Sequence, residues 1–152
     1  MSVLKVLFVC HGNICRSPMA QYLFAQRAAQ RGLECVSESA ATSREEIGNP
    51  IYPPARRKLR QMGVPFGDHR AVQMTRGDYD RYDLLLAMDG ANVRNMTAIA
   101  GGDPAGKIRR LLDYGPRPRD IADPWYTGDF DATYADLEEG CGALLDWLEA
   151  QR

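Results

Sequence analysis

The strongest constraint on the fold is an apolar run near the N-terminus that is followed by a short loop and a serine-proline pair. Residues 6–9 are apolar at every position, which is typical of a central parallel strand covered by helices on both faces. Ser17 and Pro18 suit the N-cap and first position of a helix, and Gly32 suits its C-terminal cap. Residues 10–16 must therefore form a loop in front of a helix N-terminus.

A loop in this place favours an anion, because unpaired backbone N–H groups and the positive end of the helix dipole face it. Cys10 lies in the same field, which stabilises a thiolate and predicts a nucleophile. Arg16 offers a planar fork that matches two oxygens of a tetrahedral oxyanion. Gly12 and Asn13 tolerate the backbone angles that aim N–H groups inward. Considered alone, Cys10 could equally be a small buried hydrophobic residue and Arg16 a surface charge. The strand before them, the glycine between them and the helix start after them together favour an anion-binding loop.

The loop closely resembles the signature of the low-molecular-weight protein tyrosine phosphatases, and so does a downstream Asp-Pro-aromatic motif. The two segments read Cys10-His11-Gly12-Asn13-Ile14-Cys15-Arg16-Ser17 and Asp123-Pro124-Trp125-Tyr126. The resemblance extends over nearly the whole chain. It implies phosphotyrosine-containing proteins or small aryl phosphates as substrates, inhibition by phosphate-like oxyanions, and no cofactor.

The resemblance also implies roles for individual residues. Cys10 is the expected nucleophile and Asp123 the expected general acid and base, while Arg16 and the loop bind phosphate. The expected phosphate-binding loop residues are His11, Gly12, Asn13, Ile14, Cys15 and Ser17. Ser17 can also hydrogen-bond the thiolate while it caps the helix. In isolation, Asp123-Pro124 would be read as turn chemistry.

Further residues are expected to support the loop. Asp89 is expected to orient Arg16, and Ser39 and His69 resemble the family's hydrogen-bond network around the loop. His69 equally suits a surface histidine or a hydrogen-bonded buried one. Cys15 is expected either to fill space or to form a reversible disulfide with an oxidised Cys10, since family members carry the same pair.

Substrate preference is expected to depend on the rim of the loop. Trp125 and Tyr126 would form an aromatic wall against a planar substrate ring. In the family, isoleucine at the position of Ile14 goes with phosphotyrosine, and a hydroxyl-bearing residue there is found in phosphoarginine phosphatases. Glu45 departs from the pattern, because many animal-type members have an aromatic residue there. The pocket is therefore expected to be more open on that side.

Composition is that of an ordinary globular protein, expected to form a single domain over residues 1–152 in a reducing cytoplasm. A net charge of −1 offers no basic excess for nucleic acid, and no apolar segment is long enough for a membrane. The basic cluster within residues 56–60 is typical of a solvated helix face and is given no function. The cysteines at positions 10, 15, 35 and 141, with two histidines, lack metal-ligand spacing, so no metal site is expected.

Strands alternate with helices, which predicts a flavodoxin-like α/β fold: a doubly wound, four-stranded parallel sheet with helices on both faces. The predicted strands are 6–9, 35–39, 84–88 and 108–112. The predicted helices are 18–31, 55–62, 92–99 and 130–148, with a short turn over 76–81 capped by Thr75 and a long loop over 113–129. Gly140 and Gly142 weaken the last helix. Cys10, Ser39, Asp89 and Asp123 all follow predicted strands and should converge on one sheet edge.

Two other functions are compatible with an anion loop. A thiol-dependent arsenate reductase needs further cysteines on a mobile segment, and none occurs between Cys35 and Cys141. A phospho-binding module without catalysis would be expected to lack Cys10 or Asp123, and both are present.

Overall fold

The structure is a computed structural model that describes residues 3–151, and a four-stranded parallel sheet lies at its centre. The strands are β1 (Leu4–Cys10), β2 (Cys35–Ala41), β3 (Leu84–Ala87) and β4 (Ile108–Arg110). Their order is β2-β1-β3-β4, and every neighbouring pair is parallel. The predicted flavodoxin-like α/β fold is confirmed.

Six helices surround the sheet within the described residues. They are α1 (Arg16–Gln30), α2 (Pro53–Gln61), α3 (Asp78–Arg81), α4 (Gly90–Ala100), α5 (Pro124–Thr127) and α6 (Phe130–Ala150). The last strand is shorter than predicted, because a 3-10 helix takes over at Leu111–Tyr114. The predicted long loop contains the short helix α5. Between residues 3 and 151, no helix has the length and apolar character needed to cross a bilayer.

The continuous apolar run of β1 is explained by burial on both faces of the sheet. Val6 and Phe8 pack in a core cluster with residues of α1 and α6. Leu7 and Val9 pack in a second cluster on the opposite face, with Met96 of α4. Successive side chains of a strand point to opposite faces, so a strand covered on both sides needs apolar residues throughout.

Two N-caps that the sequence predicts are wrong. Helix α1 begins one residue before Ser17, whose hydroxyl does not cap the helix but lies 3.0 Å from Cys10 Sγ and accepts a hydrogen bond from Asn13. Thr75 does not cap α3 either. Its backbone N–H donates to Asp78 Oδ2 at 2.8 Å, and its hydroxyl accepts from the Arg81 guanidinium.

The C-terminal end of α1 follows the predicted glycine signal. Gly32 has a φ of 71°, which lies in the left-handed region that glycine adopts without strain. Its N–H donates to Ala29 O at 3.0 Å, and Leu33 N–H donates to Ala28 O at 2.9 Å. This pair of bonds is a Schellman motif, which satisfies the last carbonyls of the helix.

Gly140 allows α6 to approach the 3-10 helix closely. A Cβ at this position would lie 2.5 Å from Leu111 Cγ, whereas a Cβ at Gly142 would have nothing within 4 Å. Leu111 is fully buried and has little room to move away. The two helix glycines therefore differ in what they do, although the sequence pattern treats them alike.

We expect Gly140→Ala to lower the free energy of unfolding by about 1–3 kcal/mol, because overpacking a filled core displaces neighbouring side chains. Gly142→Ala is the matched control and should raise it by about 0.5–1 kcal/mol, since alanine favours the helix. Urea denaturation of both variants measures the two effects. A Gly140→Ala protein at least as stable as the wild type would contradict this account of the close approach.

Candidate active site

The loop between β1 and α1 is held in shape by the side chain and backbone of Asn13. This residue is fully buried and has a φ of 62°, in the left-handed region. Its side chain donates to Ser17 Oγ at 2.7 Å and accepts from Val72 N–H at 3.1 Å. Its carbonyl lies 3.0 Å from His69 Nε2, and since a carbonyl only accepts, the histidine donates there. Hydrogen bonds to three residues from two other segments thus fix the turn that curls the loop.

Cys10 lies at the carboxyl end of β1 with two hydrogen-bond partners. Its Sγ lies 3.0 Å from Ser17 Oγ and accepts from Asn13 N–H at 3.3 Å. Asn13 Nδ2 already donates to the Ser17 oxygen, and the Ala40 carbonyl is farther from that oxygen, at 3.5 Å. The Ser17 hydroxyl proton is therefore free to point at the sulfur. The sulfur of Cys10 thus has two potential hydrogen-bond donors within reach.

Arg16 is buried and bonded to three oxygen atoms. Its Nη1 donates to Asp89 Oδ2 and to Ile121 O, each at 2.8 Å, and its Nη2 donates to Asp123 Oδ2 at 3.4 Å. Burial lowers the pKa of the guanidinium, but Cys10, Asp89 and Asp123 together raise it by more than burial lowers it. The net pKa is therefore above its ordinary value. Arg16 therefore stays charged at the base of the site.

Asp89 joins two parts of the fold. One carboxylate oxygen accepts from the N–H of Asn92 at 2.8 Å and caps α4, and the other accepts from Arg16. The residue follows β3 directly after Met88, whose carbonyl accepts from Ile121 N–H at 2.8 Å. The carboxyl end of β3 thus positions both the carboxylate and the segment that leads to Asp123.

Asp123 is the N-cap of α5 and faces Arg16. Its Oδ1 accepts from Trp125 N–H at 3.0 Å, and its Oδ2 is the oxygen near Arg16. Trp125 and Tyr126 are strongly exposed, at 51% and 82%. Trp125 packs on Tyr52, with ring centroids 4.8 Å apart. The aromatic pair therefore stands beside the carboxylate at the mouth of the site.

These side chains enclose a cavity of about 110 Å³. It is lined by Cys10, His11, Gly12, Asn13, Ile14, Cys15, Arg16, Glu45, Glu46, Asp123, Trp125 and Tyr126. Polar side chains also line the cavity, and among them His11 Nε2 lies 2.9 Å from Glu45 Oε2. A cysteine thiol, a buried cation, the residues of the loop and a carboxylate therefore share one opening.

Not every predicted site residue reaches this cavity. Ser39 donates to Gln21 Oε1 at 2.6 Å, so its hydroxyl joins β2 to α1 and does not join the loop. Cys15 does line the cavity, but its thiol is almost fully buried, and burial and then the neighbouring Cys10 raise its pKa. Two supports were not predicted: Tyr52, beneath Trp125, and the backbone of Val72, on Asn13. A backbone N–H leaves no signal in the sequence, and Tyr52 has no motif of its own.

No metal-binding group appears among residues 3–151: nowhere do three His, Cys, Asp or Glu side chains come together as ligands. The positive charge of the cavity comes from Arg16 and from the N-terminus of α1.

Comparison with known proteins gives consistent matches over the whole described chain. The family model "Low molecular weight phosphotyrosine protein phosphatase" matches residues 5–152. Low molecular weight protein-tyrosine-phosphatase YfkJ of Bacillus subtilis is 38% identical over 154 residues, covering 99% of each chain. Low molecular weight protein-tyrosine phosphatase A of Mycobacterium tuberculosis is 37% identical over 154 residues, covering 96% of this chain and 92% of that protein.

Solved structures agree with the sequence relatives. The crystal structure of Bacillus subtilis YfkJ superimposes with a TM-score of 0.96 at 37% identity, covering 100% of this chain and 98% of that one. A Drosophila arginine phosphatase superimposes with a TM-score of 0.88 at 28% identity, covering 95% and 98% of the two chains. The fold is thus similar to that of a protein named as a tyrosine phosphatase and to that of a protein named as an arginine phosphatase.

We expect His69 to make stability depend on pH. Burial lowers its pKa below the ordinary 6.5, and the bond to Asn13 offsets this only in part. In the unfolded chain this histidine takes up a proton near its ordinary pKa of 6.5, whereas in the folded chain it resists protonation. The free energy of unfolding should therefore fall as the pH drops below 6.5. His69→Gln keeps a donor but does not titrate, and should show a shallower decline.

Urea denaturation of both proteins, from neutral to mildly acidic pH, measures the difference. The two slopes of unfolding free energy against pH can differ by at most about 1.4 kcal/mol per pH unit for one proton, and partial exposure of the ring makes the difference smaller. Parallel stability curves for the two proteins would contradict a half-buried His69 that resists protonation in the folded protein.

Proposed function

The chain belongs to the low molecular weight phosphotyrosine protein phosphatase family and is a phosphatase, and from this premise we propose how its own residues hydrolyse aryl phosphate monoesters. The observation that carries the proposal is the convergence of Cys10, Arg16 and Asp123 on one cavity. A nucleophile, an anion-binding cation and an acid within one opening are the parts that phosphoryl transfer to a thiolate needs.

Phosphate binding is assigned to the loop amides and to Arg16. The amides precede α1, where the helix dipole favours negative charge. The guanidinium is held in place by the Ile121 carbonyl and Asp89, so it is oriented before substrate arrives. Preorganised donors of this kind stabilise the equatorial oxygens in the transition state. They supply the charge that a divalent cation would otherwise provide, and they should also bind inhibitory oxyanions.

In the first step, the Cys10 thiolate attacks phosphorus. The S–P bond forms as the ester P–O bond breaks, and the leaving phenoxide takes the proton of Asp123. In the second step, Asp123 as carboxylate takes a proton from water, and the resulting hydroxide attacks phosphorus. The S–P bond breaks, inorganic phosphate leaves, and the hydrogen bonds from Ser17 and Asn13 receive the thiolate again.

The rim of the cavity suits an aromatic leaving group. Trp125 and Tyr126 offer exposed ring faces next to Asp123, and Ile14 adds an apolar contact within the loop. On the other side, Glu45 is charged and hydrogen-bonded to His11, so the ring would have one aromatic wall and one polar wall. Phosphotyrosine in proteins and small aryl phosphates are therefore the proposed substrates.

The assignment is tested by comparing phosphotyrosine, phosphoserine, phosphoarginine and arsenate side by side, in the presence of a chelator. We expect turnover of the aryl phosphate without added metal. Cys10→Ser should abolish turnover yet still bind vanadate or phosphate, because the anion loop remains. Wild-type rates from that variant, or activity that disappears with the chelator and returns with a divalent ion, would refute the mechanism.

Asp123→Asn should lower the rate by about 10²–10⁴ for a leaving group of high pKa, the usual contribution of a general acid. The loss should shrink for an activated phenol that departs without a proton. Asp129→Asn is the matched control on the same segment, because it caps α6 away from the cavity and asparagine caps equally well. Equal losses on both leaving groups would make Asp123 a structural residue.

We further propose that Cys15 protects Cys10 from irreversible oxidation in a reducing cytoplasm. Peroxide would convert the Cys10 thiolate to a sulfenic acid and release hydroxide. Attack by the Cys15 sulfur would then form a disulfide and expel water. Burial and, after it, the negative charge of Cys10 raise the pKa of Cys15, so oxidation of Cys10 removes the second of these two effects.

After treatment with peroxide and then dithiothreitol, the wild type should recover most of its activity, whereas Cys15→Ser should recover much less. Cys35→Ser serves as the control, because Cys35 lies on β2 and does not line the cavity. Equal recovery of activity by the wild type and Cys15→Ser, or no Cys10–Cys15 linkage by mass spectrometry, would show that Cys15 is only a packing residue.

A further inference from the structure

A second concave surface adjoins the active-site cavity. This groove has a volume of about 450 Å³ and lies between α2, α5 and the first turn of α6. Its lining includes Tyr52, Pro54, Arg57, Lys58, Trp125 and Phe130. Trp125 lines both the groove and the cavity, so the two surfaces are continuous across one side chain.

The groove has an aromatic floor. The ring of Tyr52 packs against Trp125 at 4.8 Å and against Phe130 at 6.3 Å, measured between ring centroids. Pro54, which is half-buried, adds apolar surface to its lining. Such a surface offers contact area to the side chains of an extended peptide.

The charges of the groove leave one cation without an acidic partner. Lys58 Nζ lies 2.6 Å from Asp131 Oδ1, so these two charges compensate each other. Arg57 is exposed and, within the part of the chain that the structure describes, forms no salt bridge. The lining of the cavity itself includes Glu45 and Glu46, whereas Arg57 lines the groove that shares Trp125 with it. The acidic residues therefore line the cavity, and the unpaired cation lines the groove.

We propose that this groove binds the segment of the substrate protein next to the phosphotyrosine, and that Arg57 favours an acidic side chain there. The inference rests on the proposed function. With the phosphotyrosine ring against Trp125, an extended chain that advances about 3.3 Å per residue brings its next side chains over Trp125 into the groove. There an aspartate or glutamate meets the unpaired guanidinium of Arg57.

The test measures kcat/KM for phosphotyrosine peptides that carry glutamate, glutamine or lysine, placed on the N-terminal side in one series and on the C-terminal side in another. Each value is divided by that for phosphotyrosine itself, which has no flanking residue. In one series, glutamate should exceed glutamine by about two- to five-fold, the range of an exposed ion pair, and the preference should weaken with salt. Lysine should be disfavoured in that series.

Variants identify the residue responsible. Arg57→Gln should remove the glutamate preference, and Arg57→Glu should reverse it in favour of lysine. Arg56→Gln is the matched control, because Arg56 neighbours Arg57 on α2 but does not line the groove. It should keep the wild-type preference.

Equal kcat/KM for all three side chains in both series would overturn the inference while leaving the proposed function intact. So would a preference that Arg56→Gln removes as fully as Arg57→Gln, since general surface charge would then explain it. Absence of turnover of phosphotyrosine itself would overturn the proposed function and the inference with it.

Discussion

The buried guanidinium of Arg16 is the constraint on which the rest of the site depends. A buried charge is costly unless it is paired and hydrogen-bonded, and Arg16 meets this requirement only through oxygens that come from other segments. Asp89 follows β3, while Ile121 and Asp123 lie in the segment after β4. The interaction that makes burial of Arg16 tolerable therefore also brings the loop, the capping carboxylate and the acid to one edge of the sheet.

The same charges link substrate binding to catalysis. The guanidinium of Arg16 already faces the sulfur of Cys10 and the carboxylates of Asp89 and Asp123. A phosphate ester brings more negative charge, which the loop amides and Arg16 must balance. In the proposed mechanism Asp123 gives its proton to the leaving group, so the carboxyl group that contacts Arg16 is also the one that acts on the leaving oxygen.

Sequence reasoning succeeded where the signal is local. The apolar run before Cys10 predicts a buried strand because both faces are covered, and Gly32 predicts the end of α1 because its positive φ is needed there. It failed where a side chain had a better partner than the local rule assumes. The Ser17 hydroxyl lies within hydrogen-bond distance of Cys10 and Asn13 and does not cap the helix, and the Ser39 hydroxyl donates to Gln21 on α1. The support of Trp125 by Tyr52 is a contact between distant segments, which no spacing in the sequence reveals.

The central claim is that the loop presents Cys10 to phosphorus and that the phosphoryl group passes through its sulfur. Acid quenching of the Asp123→Asn protein during turnover of an activated aryl phosphate, followed by mass spectrometry of its peptides, tests this directly. The account predicts one added phosphoryl group on the peptide that contains Cys10, and none in the Cys10→Ser protein under the same conditions. A phosphoryl group on any other residue, or turnover with no phosphorylated Cys10 at any quench time, would contradict it.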